Sequence, residues 1–372
     1  MMKTIVVDCY LSHNLGDDLF LMTMLARYPH VRFTVTADDS YGYLKKIFPN
    51  VELVSPPARC SNPIGRIVGH LTEERRRIRF IRSADAMVTI GGSLYMEADR
   101  SKSLKTKINE RRRFARDWIQ ARAAKHYCVI GANFGPWHTD SYWNFYRDFF
   151  ANKCEDVCFR DTYSVGLFPD IPGVRQAPDV LFGAMLPQVP KRRQAFFSVV
   201  DLGADKFGAL NAKVEAYDHM MIGLIRRYIA RGYEPVLCSF SQPEGDEVGL
   251  ERLVQSARSQ GVKVRTLRYR DNMDEVLHEI SASEVMVGTR FHAVILGLSA
   301  GAAVLPVVYS AKTTHVLEDI GFDKDHVIDL KNCGWEGMPI EAMPEAAYLD
   351  VSRQQAGAVA QFAVLDRLVG GE

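Results

Sequence analysis

The sequence lacks any run of about twenty apolar residues, which is the length that a membrane-spanning helix requires. It also lacks an excess of one charge, because 46 Lys and Arg residues stand against 45 Asp and Glu residues and leave a net charge of +1. Such a chain has no overall field that attracts nucleic acid, so we expect no nucleic-acid partner. The first residues enter a strand-like pattern at once and do not resemble a signal peptide. We therefore expect a cytoplasmic protein.

Two further absences concern cysteine and glycine. The cysteines do not form the closely spaced pairs of structural zinc sites; Cys154 and Cys158 could share a helix face, but no histidine or second pair accompanies them. We expect reduced cysteines in the hydrophobic core, no metal ion and no bound cofactor. The three-glycine turn of dinucleotide-dependent dehydrogenases is missing after the first strand-like run, which argues against that class. The seven cysteines are Cys9, Cys60, Cys128, Cys154, Cys158, Cys238 and Cys333.

Short β-branched runs alternate with longer helical patterns, and this alternation predicts an α/β fold with parallel sheets. Pro187 and Pro190 interrupt the alternation, so we place a linker over residues 186–193. The predicted strands are residues 4–7, 86–90, 127–130 and 157–159 before the linker, and 196–200, 235–238, 262–267, 285–287 and 303–308 after it. The clearest helices in the second half are residues 217–230 and 247–259.

This pattern predicts two Rossmann-like α/β domains that face a central cleft, because open parallel sheets bind ligands beyond the carboxyl ends of their strands. We assign residues 1–188 to the N-terminal domain and residues 194–345 to the C-terminal domain. Residues 346–372 are a C-terminal segment, helical over 356–369, for which the first domain is the candidate packing partner.

The most informative motif follows a late strand, where Gly288, Thr289, Arg290, Phe291 and His292 lead into an apolar helix. A helix N-terminus attracts anions, and an arginine there adds a forked donor for carboxylate or phosphate. His292 is placed to transfer a proton. The alternative is that Arg290 pairs with a structural acid and His292 caps a turn.

Tyr309 and Lys312 follow the next apolar strand, and neighbouring strands of a parallel sheet end at the same edge. Lysine after a strand is often only a solvated loop residue. Two cations and a histidine at neighbouring strand ends nevertheless predict an anion pocket with a proton donor.

Three more groups follow strands of the first half. Arg160 is a candidate anion ligand, whereas Asp161 beside it is expected to cap the next helix. Gly92 and Asn133 belong to turns that we interpret as cleft walls. Asn14, Asp17 and Asp18 precede a helix predicted over residues 19–27, and the two acids suit sugar hydroxyls better than phosphate, with simple capping as the alternative.

Two basic stretches lie in the first half. The first contains Arg75, Arg76, Arg77, Arg79 and Arg82, and the second runs from Arg100 to Lys125. A solvated face is the default interpretation of such a run. The alternative is a peripheral contact with the anionic inner face of a membrane, or with the diphosphate of a lipid-linked acceptor.

In chain order, the motifs at residues 14–18, 91–92, 159–164, 178–179, 288–293 and 309–312 together resemble the polysaccharide pyruvyl transferase family. The Arg-x-His segment at Arg290 and His292 followed by Tyr309-x-x-Lys312 is the most specific part. The chain departs from the family at Ser93 and His13, where members often carry glycine.

The resemblance implies a fold similar to the glycosyltransferase-B type and the transfer of pyruvate from phosphoenolpyruvate to a sugar acceptor, with formation of a pyruvate ketal. The acceptor is a cell-surface polysaccharide or its lipid-linked precursor, and the first domain is its expected side. In this scheme Arg290 and His292 are catalytic, Arg160 and Lys312 bind the donor, and Tyr309, Asn14, Asp17, Asp18, Gly92 and Asn133 line the substrate site.

Two other functions stay open. A nucleotide-sugar glycosyltransferase of similar two-domain shape would also use a basic helix N-terminus to bind diphosphate. A non-catalytic sugar-binding component of polysaccharide assembly would not need the arginines.

Overall fold

The structure, a computed structural model, describes residues 2–56, 63–97, 104–332 and 334–370. It divides into two compact units. Unit 1 comprises Met1–Leu11, Phe20–Val180 and Gly357–Glu372, and unit 2 comprises Ser12–Leu19 and Leu181–Ala356. None of the helices in the described ranges is both long and apolar enough to cross a membrane.

Unit 1 is built on a seven-stranded parallel sheet with the strand order β3-β2-β1-β4-β5-β6-β7. Its order reverses beside β1, which is the arrangement of doubly wound α/β folds. The strands are β1 (Thr4–Cys9), β2 (Arg32–Thr36), β3 (Val51–Val54), β4 (Ala86–Ile90), β5 (Tyr127–Ala132), β6 (Asp156–Phe159) and β7 (Val174–Gln176). The helices between these strands are α1 (Leu15–Arg27), α2 (Leu44–Ile47), α3 (Pro63–Ser83), α4 (Leu104–Ala123), α5 (Asp140–Lys153) and α6 (Thr162–Gly166).

Unit 2 repeats this plan with a six-stranded parallel sheet in the order β10-β9-β8-β11-β12-β13. The strands are β8 (Arg192–Val199), β9 (Glu234–Ser239), β10 (Arg265–Arg268), β11 (Ser283–Gly288), β12 (Ala303–Val308) and β13 (Ile328–Asp329). The helices are α7 (Val214–Ala230), α8 (Asp246–Ser259), α9 (Met273–Ala282), α10 (Phe291–Ser299), α11 (Ala311–Asp319) and α12 (Ser352–Gly357). The order reverses between β8 and β11, so this is the point at which such a sheet binds its ligand.

The cores of the units differ in composition. In unit 1 aromatic side chains dominate the layer between β4–β6 and α5, and Tyr95 and Phe134 both pack edge-on against Tyr146. In unit 2 the core is mostly aliphatic and lies between the sheet and α7. Each core packs against one face of the central strands of its sheet, and the loops at the carboxyl ends of the strands are left to form sites.

The C-terminal residues are not one helix, in contrast to the prediction for 356–369. α12 gives way to a 3-10 turn over Ala358–Phe362, and α13 (Ala363–Gly370) follows. Within unit 1, Asp366 of α13 pairs with Arg27 at 2.7 Å. The amide oxygen of Gln361 accepts a hydrogen bond from the Gly131 backbone at 2.9 Å. The break lets the buried Gln361 face the sheet while α13 covers α1.

Other predicted boundaries also shift. β8 begins at Arg192, inside the predicted linker, and β10 lies at Arg265–Arg268 where a strand was predicted over 262–267. Cys154 ends α5 and Cys158 lies in β6, so they do not share a helix face. The five described cysteines carry free thiols, whereas Cys60 and Cys333 lie outside the described residues, as does Arg100.

Candidate active site

The candidate site of unit 2 lies where the order of its sheet reverses. The hydroxyl oxygen of Ser198, near the end of β8, accepts hydrogen bonds from the backbone of Thr289 at 3.1 Å and of Arg290 at 3.0 Å. Gly288 allows this tight turn, because a β-carbon there would lie 2.8 Å from the Val294 side chain and 3.2 Å from its backbone nitrogen. The backbone that carries Arg290 and His292 is therefore fixed at the switch point.

Arg290 is held by two acids. Its Nε donates to the carboxylate of Asp246 at 2.9 Å, and one terminal nitrogen donates to the other oxygen of the same group. The second terminal nitrogen lies 2.5 Å from the Glu244 carboxylate. Burial alone would lower the pKa of Arg290, but the negative groups around it, Asp246 foremost, raise it well above its ordinary value. Arg290 thus pairs with two acids, of which the buried Asp246 agrees with the alternative interpretation of a structural partner.

Glu244 lies in the loop between β9 and α8, and Asp246 is the first residue of α8. Asp246 is fully buried, and its carboxylate also accepts hydrogen bonds from the amides of Phe240 and Ser241 at 3.2 and 3.0 Å. Glu244 is different, because 24% of its side chain is exposed. Gly245 separates the acids and has a left-handed backbone with φ of 88°, which favours glycine. Asp246 therefore anchors the arginine, while Glu244 lies at the open side.

Glu244 is shared by three partners. Besides Arg290, the ammonium group of Lys206 lies 3.0 Å from its carboxylate, and the side-chain nitrogen of Asn14 donates to it at 2.7 Å. Burial alone would raise the pKa of Glu244, but the charges of Arg290 and Lys206 lower it far below its ordinary value. The four groups Arg290, Lys206, Asp246 and Glu244 carry no net charge together. An incoming anion must therefore compete with Glu244 for the two cations.

His292 packs directly on the turn that contains Asn14. A β-carbon at Gly16 would lie 1.6 Å from Nδ1 of His292, so only glycine leaves room for the imidazole. The Asn14 side chain accepts from the Gly16 amide at 3.1 Å, and the Leu15 amide donates to the Phe240 carbonyl at 3.0 Å. The half-buried His292 is thereby brought beside the loop that carries Glu244.

The acids after Asn14 have separate environments. α1 begins at Leu15, not at residue 19, so Asp17 and Asp18 lie in its first turn. Asp18 is buried and accepts a hydrogen bond from the Tyr269 hydroxyl at 2.7 Å. Asp17 is half-buried. Of the two, only Asp17 keeps the exposure that a contact with a sugar hydroxyl requires.

Tyr309 and Lys312 follow β12, which adjoins β11. The half-buried Tyr309 packs edge-on against Phe207 at 5.1 Å, and burial raises the pKa of its phenol despite the charge of Arg290. Lys312 lies in the first turn of α11 and is half-buried. Within unit 2 the structure brings Tyr309 into the electrostatic environment of Arg290, as adjacent strand ends predict.

The remaining predicted residues converge in unit 1. Arg160, after β6, donates to Asp179 at 2.9 Å and to the side-chain oxygen of Asn133 at 2.8 Å. Gly92, after β4, makes room for it, since a β-carbon there would lie 2.5 Å from the guanidinium. Asp161 caps α6 by accepting from the Ser164 amide at 2.7 Å, as predicted.

Only 1% of the Arg160 side chain is exposed. This burial does not fit direct contact with a substrate, and the Arg160 guanidinium instead joins the loops that follow β4, β5 and β7. Gly92 and Asn133 were predicted to form cleft walls. In the structure they lie against the buried guanidinium of Arg160.

Sequence reasoning did not identify Lys206, Glu244 or Asp246. Asp246 is the first residue of α8 and lies seven residues beyond the end of β9, so no strand-end pattern marks it. Its place beside Arg290 depends on the position of β9 next to β8, which is a property of the fold. Lys206 lies in a 3-10 segment, Asp205–Lys213, and no sequence pattern marks it.

Comparison with known proteins shows the family to which the chain belongs and the fold that it shares with solved structures. The model of the polysaccharide pyruvyl transferase family matches residues 14–311 of the chain. A search of curated proteins gives no match by sequence.

Among solved structures, HepE of Anabaena in complex with UDP and glucose is similar with a TM-score of 0.53 at 10% identity, over 99% of this chain and 96% of that one. The UDP-GlcNAc 2-epimerase of Methanocaldococcus jannaschii has a TM-score of 0.55 at 7% identity, over 98% and 100% of the two chains. The corresponding epimerase of Neisseria meningitidis, bound to UDP-GlcNAc, has a TM-score of 0.53 at 10% identity, over 98% and 100%. These proteins have two Rossmann-like domains of the glycosyltransferase-B type, which confirms the predicted fold class.

Proposed function

Because the chain belongs to the polysaccharide pyruvyl transferase family, we propose that it transfers pyruvate from phosphoenolpyruvate to a sugar of a polysaccharide or of its lipid-linked precursor. The observation that supports this most is the position of the Glu244 carboxylate. It lies against Arg290 and Lys206, beside the loop that carries His292. A carboxylate therefore fits on the cations at the switch point, and the donor brings a carboxylate of its own.

In this proposal the donor's carboxylate takes the place of Glu244 on Arg290 and Lys206, while its phosphate is bound by the α11 N-terminus and Lys312. Asp246 stays on Arg290 and keeps the guanidinium in position. The half-buried Asp17 and the displaced Glu244 then offer carboxylate oxygens to hydroxyl groups of the sugar.

His292 gives a proton to the methylene carbon, which leaves the central carbon electron-poor, and one sugar hydroxyl adds there and returns a proton to the imidazole. Phosphate then leaves with the electrons of its carbon–oxygen bond, and a second hydroxyl forms the second bond of the ketal. The proton of that hydroxyl goes to the released phosphate. Phosphoenolpyruvate and a diol become a pyruvate ketal and inorganic phosphate.

A second candidate is a glycosyltransferase that uses a nucleotide sugar. The observation that favours it is the zero net charge of Arg290, Lys206, Asp246 and Glu244, since a partly exposed carboxylate in a neutral cluster suits hydroxyl groups of a ribose or hexose. Structures of the same fold were solved with UDP, glucose or UDP-GlcNAc. Donor choice separates the two functions.

The test is a thermal-shift titration with phosphoenolpyruvate and, in parallel, with UDP-glucose. A ligand at about 100 times its dissociation constant stabilises the native state by about 2.7 kcal/mol. We expect phosphoenolpyruvate to raise the melting temperature, Lys312→Ala to weaken the rise, and Lys263→Ala, an exposed lysine of the same unit, to leave it unchanged. Stabilisation by UDP-glucose alone would replace this proposal by the second candidate.

A further inference from the structure

The exposed face of α4 has an unusual distribution of charge. The helix contains two acids, Glu110 and Asp117, and both are buried. Its exposed positions are basic or uncharged: Leu104, Lys105, Lys107, Ile108, Asn109, Arg111, Arg112, Ala115, Arg116, Ile119 and Arg122. A solvated helix face in a protein of net charge +1 ordinarily mixes both signs. Of the basic residues on this outer side, Arg116 pairs with Asp117 of the same helix, and the others have no ion pair with a described acid of α4.

Aliphatic side chains occupy the middle of this face. Leu104 is 73% exposed, Ile108 is 44% exposed and Ile119 is 43% exposed. With 3.6 residues per turn, these residues and Ala115 fall on one stripe, and Lys107, Arg111 and Arg112 lie within or beside it. The helix thus presents apolar groups to water along a basic surface.

Arg77 of α3 and Arg113 and Arg116 of α4 have a structural explanation that the other basic residues of these helices lack. Asp8 lies 2.6 Å from Arg77 of α3, and Arg116 and Arg113 of α4 add to the electrostatic field that lowers its pKa against the effect of burial. Arg116 also pairs with Asp117 at 3.1 Å. In the described part of the chain, no ion pair involves Lys105, Lys107, Arg111, Arg112 or Arg122.

The adjacent helix, α3, carries exposed arginines of its own. Arg75, Arg79 and Arg82 of α3 are exposed at a spacing of four and three residues, so they share one side of that helix. None of the three has an acidic partner among the described residues.

We propose that the outer face of α4, with the arginine stripe of α3, binds the surface of an anionic lipid bilayer. Nucleic acid would be attracted by the arginines but gains nothing from Leu104, Ile108 and Ile119. A bilayer interface binds both the basic and the aliphatic side chains, because lipid headgroups attract the cations while the aliphatic groups enter the boundary of the acyl chains. The proposal is independent of which donor the enzyme uses.

The experiment is co-sedimentation of the full chain with vesicles of phosphatidylcholine, with and without phosphatidylglycerol. We expect binding only to the anionic vesicles, with weakening by salt. Each basic residue near such a surface strengthens binding by about fivefold, so Arg111→Glu with Arg112→Glu should weaken it roughly 25-fold or more. Leu104→Ser with Ile108→Ser keeps every charge and should weaken binding roughly tenfold.

The matched control is Arg258→Glu with Lys263→Glu, which makes the same charge change at exposed positions of unit 2. It should keep vesicle binding within about twofold of the unchanged protein. Equal losses in the control and in the α4 variant would overturn the proposal, because binding would then depend on net charge alone. Full binding by the Leu104→Ser and Ile108→Ser variant, with equal binding to an RNA oligonucleotide, would overturn it in favour of a polyanion site.

Discussion

Both units send an arginine out of a buried strand onto a buried acid, but the two arginines end in different environments. Arg160 of unit 1 meets one acid, Asp179, and one amide, and 1% of its side chain is exposed. Arg290 of unit 2 meets the buried Asp246 and also the partly exposed Glu244, which Lys206 shares. The Arg160–Asp179 pair is buried from solvent, whereas the cluster around Arg290 includes the partly exposed Glu244.

This difference separates a structural arginine from a candidate site arginine. A closed arginine–acid pair costs desolvation on both sides and can serve only to fix its surroundings. At Arg290 the buried Asp246 fixes the guanidinium, whereas Glu244 is partly exposed, contacts three partners and is the acid that we propose a ligand replaces. Strand-end position alone does not distinguish the two cases; the number and exposure of the acids do.

The largest expected effect is the loss of stability when the closed pair is broken. Arg160→Met leaves Asp179 buried and unpaired, which should cost about 3–5 kcal/mol of unfolding free energy. Urea unfolding followed by tryptophan fluorescence measures this, since Trp118, Trp137 and Trp143 all lie in unit 1.

The control for that experiment adds Asp179→Leu to Arg160→Met. Replacing both partners by apolar groups removes the unpaired charge and should recover most of the stability. If Arg160→Met alone is as stable as the unchanged protein and loses phosphoenolpyruvate binding, Arg160 is a ligand-binding residue and the contrast between the units disappears.

The next largest effect concerns turnover in the open cluster. His292→Gln keeps a polar side chain of similar size on Gly16 but removes the titrating group. A proton-transfer role predicts a loss of roughly 100-fold to 10,000-fold in kcat. Binding of phosphoenolpyruvate, measured by calorimetry, should change by less than about threefold, since the anion contacts are elsewhere. Normal turnover in this variant would remove His292 from the chemistry.

Much of the fold was predictable because it depends on local patterns. Buried parallel strands appear as short apolar runs, and β4 was located to the residue. β2 and β3 were missed because each carries polar residues, as in the sequence Arg-Phe-Thr-Val-Thr of β2. Their place in the sheet comes from pairing of β2 with β1 and of β3 with β2, and these are tertiary interactions.

The site was predictable only in part, for the same reason. Arg290 and His292 follow directly from a strand-glycine-helix pattern, and Tyr309 follows from the next strand. The acids that neutralise Arg290 come from the loop after β9, some 45 residues earlier in the chain. Only the strand order places that loop beside β11. The sequence therefore predicted Arg290 but missed Lys206 and the two acids that neutralise these cations.

A smaller effect tests whether Glu244 competes with the donor. Glu244→Gln leaves Arg290, Lys206 and Asp246 with a net charge of +1, so the affinity for phosphoenolpyruvate should rise by roughly fivefold to tenfold at low ionic strength. Glu251→Gln is the matched control, because Glu251 is an exposed acid of the same unit paired with Arg268. A nucleotide-sugar enzyme gives the opposite result, with weaker UDP-glucose binding after loss of a hydroxyl acceptor.

The same variant has a signature in the pH dependence of stability. Because the pKa of Glu244 is lowered in the folded protein, its ionised form stabilises the fold fully above the ordinary glutamate pKa of about 4.3. That contribution is lost as the pH falls towards the lowered value. Glu244→Gln should therefore show a shallower loss of stability below about pH 4 than the unchanged protein or Glu251→Gln. Identical acid-unfolding curves would contradict the lowered pKa.

The smallest effect concerns the turn that brings Asn14 and Gly16 to the open cluster. His13, which precedes it, has φ of 45°, a left-handed backbone that costs a residue with a β-carbon about 1 kcal/mol relative to glycine. His13→Gly should thus be more stable than His13→Ala by about 1 kcal/mol in urea unfolding, since both variants lose the imidazole and differ only in the β-carbon. Equal stability of the two variants would mean that the turn relaxes without cost. The position of Gly16 against His292 would then be held by the contacts of Asn14 with Ser241 and Glu244 and of Leu15 with Phe240.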